Sequence, residues 1–210
     1  EIRNCDWSSD VCSSDLSHVS VVAATVQKIL DVQITWKISD DGRISSTMEA
    51  VKDSEFPVLP RFGIRLFLDR RLDDTAYFGM GPKESYRDKN KSSYHGFFRA
   101  HVNDLHEDYV RPQENGSHYD CDYVTVNSQK FGITAVSENP FSFSASSYTQ
   151  EMLENSAHNF ELVASESTVL CIDYALNGIG SNSCGPEVLK KYQFNENEFM
   201  FKFTLVPFVK

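Results

Sequence analysis

The sequence predicts an all-β protein, two antiparallel sheets packed as a sandwich with one short helix. Three observations lead there. Short stretches of alternating apolar and polar residues recur along the 210-residue chain, each bounded by Gly, Asn, Asp or Pro. Fifteen Phe and nine Tyr against only ten Gly suit strands with heavy aromatic packing. A helix start signal stands out in one place, at Ser147.

Residues 1–16 stand apart from this pattern. Cys5-Asp6-Trp7-Ser8-Ser9-Asp10 is followed at once by the near-copy Val11-Cys12-Ser13-Ser14-Asp15-Leu16. The segment resembles a translated sequencing-library adapter joined to an incomplete gene, a non-native piece expected to pack against nothing. A genuine Cys-containing N-terminal arm is the alternative. Residues 17–210 are read as one domain, long enough to bury a sizeable core.

Taken in order, Val19–Val51 reads as strands. Val32, Ile34, Trp36 and Ile38 alternate with mostly polar neighbours, Asp40-Asp41-Gly42 supplies a hairpin turn, and Ile44–Val51 returns. Asp53–Pro60 is a linker. Arg61–Asp69 alternates again, with Phe62, Ile64, Leu66 and Leu68 on one face and Arg61, Gly63 and Arg65 on the other. After a polar turn come Ala76-Tyr77-Phe78 and a Gly-Met-Gly-Pro bend, which no helix follows as a phosphate loop would require. Tyr86–Lys91 reads as a solvated charged loop. His101, Asp104, His106, Glu107 and Asp108 are metal-ligating types, but their spacing matches no ligand pattern, so they read as surface polar residues.

Asn115-Gly116 marks a turn, followed by strands at Tyr119–Asn127 and Phe131–Val136. Ser147 as N-cap and Gln150 three residues on form a capping box that opens a helix to about Ala157. Phe160–Val163, Thr168–Leu176, Lys190–Phe194 and Glu198–Val209 complete the strands. In the last, Phe199, Phe201, Phe203 and Leu205 share a face, which makes it a central strand or at least one fully packed on one side. Thr168–Leu176 is apolar on both faces, as a strand inside a core is. It runs into Asn177–Pro186, whose Gly178, Gly180, Asn182 and Gly185 tolerate φ > 0 and exclude regular structure. A core strand ending in such a loop can present side chains to a ligand; a plain surface turn is the alternative.

Composition removes several classes. The net charge is −10 with no Lys/Arg run, which argues against a nucleic-acid partner. No apolar run approaches a membrane span. Five Cys without a C-x-x-C pair support neither a disulfide framework nor a metal cluster, and Cys121, Cys171 and Cys184 read as reduced thiols of a cytoplasmic protein. No G-x-S-x-G nucleophile motif is present.

Five blocks in order carry a resemblance. They are Leu59-Pro60-Arg61-Phe62-Gly63-Ile64-Arg65, then Tyr77–Asp88 (Tyr-Phe-Gly-Met-Gly-Pro-Lys-Glu-Ser-Tyr-Arg-Asp), then Tyr109–Gly116 (Tyr-Val-Arg-Pro-Gln-Glu-Asn-Gly), then Phe143-Ser144-Ala145 with Tyr148 and His158, and last Asn177–Pro186 with Val188 and Tyr192. Together they span about Val19 to Lys210. In these blocks the chain resembles the C-terminal region, the small chain, of the glycoside hydrolase family 2 β-galactosidases.

The resemblance implies an antiparallel supersandwich similar to galactose mutarotase, here incomplete at its N-terminal side and therefore with an open sheet edge. It implies the C-terminal portion of an enzyme that hydrolyses terminal β-D-galactosides with retention. A retaining glycosidase needs two carboxylic groups about 5–5.5 Å apart; in the family both are Glu on an upstream barrel. No catalytic residue is therefore expected here, the isolated chain is expected to be inactive, and Glu84 and Glu114 read as turn-stabilising groups. Many members carry a Trp sugar platform in the Gly/Asn loop. Here that position is Cys184, so the substrate-binding residues implied are Asn182, Ser183 and Cys184. A thiol cannot offer the apolar face of an indole, which puts substrate preference in question more than the reaction. No cofactor is expected on this chain; the resemblance allows Mg and Na in the complete enzyme. The implied partners are a lactose-like β-galactoside, the remaining domains of the same enzyme and a homo-oligomeric copy. A non-catalytic carbohydrate-binding or assembly module is the alternative reading, and a mutarotase-type epimerase a distant third.

Overall fold

The computed structural model describes residues 12–22, 28–180 and 186–210. They form ten strands and one short helix. The strands are β1 (Cys12–Val22), β2 (Lys28–Ser39), β3 (Ile44–Lys52), β4 (Arg61–Asp69), β5 (Asp74–Gly81), β6 (Tyr94–His101), β7 (Ser117–Asn127), β8 (Phe131–Ser146), β9 (Ser167–Leu176) and β10 (Glu198–Val209); α1 is Gln150–Asn155. All pairings are antiparallel. The main sheet runs β1-β2-β3-β10-β8-β7-β5-β6, and β9 and β4 branch from it at β8.

β8 creates the branch. Its first half, 131–137, pairs with β10, while its second half, 142–146, pairs with β9. One 16-residue strand thus serves two layers, and the strand expected at Phe131–Val136 runs on to Ser146. The core lies between the layers. Phe62 of β4 meets Phe199 of β10 edge-on at 4.8 Å, and Tyr174 of β9 stacks on the same ring at 5.2 Å. β10 is central, between β3 and β8, and its Phe199, Phe201, Phe203 and Leu205 are buried. β9 is buried on both faces over Thr168–Asp173. β4 has one partner strand among the described residues, and its inward Phe62, Ile64, Leu66 and Leu68 are only half-buried.

Several expectations need correction. Residues 12–16 do not lack contacts: their backbone pairs with Thr35–Ser39 as the first half of β1, although the side chains of Ser13–Leu16 stay exposed. Residues 1–11 lie outside the described residues. Gly79 and Gly81 belong to β5 rather than to a bend. Tyr94–His101 is strand β6, where the sequence pointed to no strand. Phe160–Val163 and Lys190–Phe194 are not strands but include the 3-10 turns Asn159–Glu161 and Lys190–Tyr192. The helix cap is Thr149, whose hydroxyl accepts from the Met152 amide at 3.2 Å, not Ser147. Tyr86 is buried, and Arg87 and Asp88 are half-buried, so Tyr86–Lys91 is no mere solvated loop.

Candidate functional site

At one end of the sandwich, connections from distant parts of the chain are tied together by charged and amide groups. Glu84 is their first anchor. Its buried carboxylate accepts from the Lys89 ammonium, the Tyr109 hydroxyl, the Tyr86 hydroxyl at 3.2 Å and the Gly116 amide at 2.9 Å. Burial works to raise its pKa, yet these donors outweigh burial and hold the carboxyl below the usual glutamate range. Glu84 therefore joins Tyr77–Asp88 to Tyr109–Gly116, and its expected turn-stabilising part is what the geometry shows.

Arg61 is the second anchor. Its guanidinium grips Asp173 with two donors, Nε at 3.1 Å and Nη2 at 2.5 Å, and reaches Glu114 with Nη1. Asp173 is 2 % exposed. Burial pushes its carboxyl up to about 6, against the pull of Arg61. Gly63 lies opposite Asp173 across β4 and β9; a Cβ there would collide with the Ile172 carbonyl and the Asp173 side chain. The absence of a side chain at Gly63 leaves that space to the Asp173 carboxylate. Beyond it, Gln150 donates to Cys171 Sγ at 3.3 Å, and Arg65 donates to Gln150 at 2.6 Å and Glu151 at 2.9 Å. A cleft of about 440 Å³ opens beside this network, lined among others by Arg61, Ile64, Arg65, Glu114, Gln150 and Asp173.

The third anchor is the entry to the Gly/Asn loop. Four consecutive amides donate outward to fixed acceptors: Asn177 to the Pro60 carbonyl at 2.8 Å, Gly178 to the Tyr192 carbonyl at 3.1 Å, Ile179 to Asp88 Oδ1 at 3.0 Å and Gly180 to Asp88 Oδ2 at 2.7 Å. Asn177 Oδ1 accepts from the Phe194 amide at 2.9 Å. The expected sugar-site residues Asn182, Ser183 and Cys184 lie outside the described residues.

The chemistry of this end is binding and positioning. Both oxygens of Asp173 and of Glu84 are held by cations, hydroxyls or amides, so neither is poised to attack or to pass a proton. His101 pairs with Asp74 at 3.0 Å and His106 lies 5.1 Å from the Tyr148 ring. Among the described residues no group of three or more His, Cys, Asp or Glu could hold a metal ion. No helix among the described residues is long and apolar enough to cross a membrane. The sequence showed the neighbourhoods of Arg61, Glu84, Asp88 and Glu114 as motif blocks, but not the Arg61–Asp173 pair. Arg61 and Asp173 stand 112 residues apart, and only the register of β4 on β9 brings them together.

The family model described as the β-galactosidase small chain matches residues 1–205. The chain belongs to that family. The β-galactosidase of Actinobacillus pleuropneumoniae is 43% identical over 187 residues, which is 89% of this chain and 18% of that protein. The β-galactosidase of Staphylococcus xylosus is 36% identical over 188 residues, 90% of this chain and 19% of that protein. The small-chain domain thus spans under a fifth of the length of these relatives. Among solved structures it is similar to a galactose 1-epimerase from Lactobacillus acidophilus, with TM-score 0.58 and 9% identity over 98% of this chain and 65% of that one. At that identity the likeness shows the fold alone: this small chain has the galactose mutarotase-like architecture.

Proposed function

We propose that this small-chain domain is the C-terminal portion of a β-galactosidase that hydrolyses terminal β-D-galactosides with retention. Its task there is to shape the sugar-binding site and the assembly, while a Glu pair on an upstream barrel does the chemistry. The observation that carries the reading is the similarity to β-galactosidases along nine-tenths of the chain. The anchored loop supports it: a recognition loop must be held rigidly if the sugar is to be bound in one pose. In this reading Asn182, Ser183 and Cys184 form part of the wall around a lactose-like galactoside. The partners are the enzyme's other domains and a second copy of the enzyme. The free, buried Cys121 and Cys171 accord with a reducing, cytoplasmic location.

The test is made on the full reading frame to which the domain belongs. The purified enzyme releases o-nitrophenol from o-nitrophenyl β-D-galactoside, and proton NMR detects β-galactose as the first sugar product. Release of α-galactose first would overturn retention, and an enzyme inert toward β-galactosides would overturn the reading as a whole. Cys184→Trp lowers KM for lactose by a few-fold and leaves kcat near wild type, because stacking contributes on the order of 1 kcal/mol.

A further inference from the structure

We infer that Asp88 is a positioning residue for the sugar-binding wall, a clamp that fixes the Gly/Asn loop at its entry. The inference rests on the galactosidase reading above. Its ground is a set of contacts that a plain surface turn does not need. The two oxygens of one carboxylate receive two successive amides, Ile179 and Gly180. Charge-assisted bonds of this kind are about twice as strong as neutral ones. Together with the bonds from Asn177 and Gly178, they leave no amide from 177 to 180 without an acceptor.

The two glycines are what such a clamp requires. Gly180 has φ +56°, a region that L side chains rarely adopt, and its amide meets the carboxylate that already holds Ile179. A Cβ on Gly178 would come within 2.8 Å of the Asp88 carboxyl carbon. Gly178 therefore admits the clamp and Gly180 completes it.

Asp88 is itself held. Tyr86 and Lys89 exchange both backbone hydrogen bonds, at 2.8 and 3.1 Å, so Arg87 and Asp88 form the tip of a closed turn. Tyr86 and Lys89 are in turn bound by buried Glu84. The order of dependence runs from Glu84 through the 86–89 turn to Asp88, and from Asp88 to the amides of Ile179 and Gly180. A carboxylate so fixed holds the 177–180 backbone in place. A displaced loop alters how the sugar is bound and leaves the bond-breaking groups in place.

The experiment uses the full enzyme with D88A and D88N, assayed on lactose and on o-nitrophenyl β-D-galactoside. D88A raises KM for lactose about tenfold and keeps kcat within twofold. D88N keeps one carbonyl acceptor for one of the two amides, and its KM falls between D88A and wild type. Hydrogen exchange read by mass spectrometry speeds up in the peptide that contains Ile179 and Gly180 and is unchanged in β9. A merely structural role would lower the melting temperature without this KM-against-kcat split. If D88A does not fold, D88N carries the same test with the smaller effect. A folded, active variant with wild-type KM, or one whose kcat falls at constant KM, overturns the inference and leaves the galactosidase reading intact. A wild-type enzyme inert toward both galactosides overturns both.

Discussion

Arg61 and Asp173 show how a buried ion pair acts in this fold. The pair bridges β4 and β9, and Asp173 is 2 % exposed. Removing one partner leaves the other charge in a poorly solvated place, which costs about 3–5 kcal/mol. Arg61→Met is thus expected to lower stability by that much in urea unfolding. Arg61→Met with Asp173→Leu should regain most of it, since a well-packed apolar pair is often no worse than a buried ion pair. Equal losses in the single and double variants would show that the site does not tolerate apolar filling. His118 gives the pH dependence. Its ring is buried between Tyr77 and Phe143, and burial lowers its pKa to about 4. The unfolded chain takes the proton near pH 6.5 and the folded one only near 4. The stability it contributes is therefore complete above pH 6.5 and is lost as pH falls toward 4, by roughly 3 kcal/mol. Asp173, with its carboxyl raised to about 6, acts with the opposite sign over the lower part of that window. Comparing melts of wild type and His118→Phe from pH 7 to 4 separates the two. The variant should lose less stability on acidification, and parallel curves would exclude His118 as the source.

At the scale of elements, legibility in the sequence followed burial. β10 and β9 were plain because one face, or both, is buried along nearly their whole length, and an apolar pattern then has no exceptions to blur it. β6 is an edge strand with no fully buried residue, so His95, Arg99 and His101 masked its alternation. Phe160 and Val163 misled in the other direction: they are apolar yet 84 % and 73 % exposed around a 3-10 turn. The helix start was misplaced by two residues because Ser147 and Thr149 are both able to cap. Tertiary contacts decide between them: Ser147 donates to Asn103 at 2.6 Å and the Gln150 side chain is taken by Arg65 and Cys171, which leaves Thr149 for the amide of Met152. Thr149→Ala should cost about 1 kcal/mol, whereas Ser147→Ala should leave the cap intact; the reverse order in thermal melts would restore the capping box at Ser147. β1 sets a second test. Truncation to Ser17 removes the pairing of Cys12–Leu16 with Thr35–Ser39. The side chains of Ser13–Leu16 are exposed, so the melting temperature should fall only by about 2–4 °C, the shift that 1 kcal/mol gives in a domain of this size. No change at all would mean that this pairing contributes nothing.

At the scale of the whole molecule, the motif blocks resolve into a scaffold. The sequence displayed them as separate blocks, and the fold joins them: Arg61, Glu84, Asp88, Glu114 and Asn177 each bind a backbone or side chain from another block. What the sequence could not show is which acids remain available for chemistry, since that depends on partners up to 112 residues away. The answer bears on the last prediction, that the 210-residue chain alone hydrolyses no galactoside. Retaining hydrolysis needs one ionised carboxylate open to the anomeric carbon and one protonated acid, about 5–5.5 Å apart. Glu84 is ionised but has four donors on its oxygens. Glu114 is tied to Arg61, and Asp173 is gripped by the same guanidinium at both oxygens. Freeing any of them would strip a cation of its partner or break the joint between two blocks, so the fold opposes their use. The purified chain should therefore show no release of o-nitrophenol above background at any pH from 5 to 8. Turnover that disappears in Glu84→Gln or Glu114→Gln, with the fold retained, would place the chemistry on this domain and remove the need for a barrel.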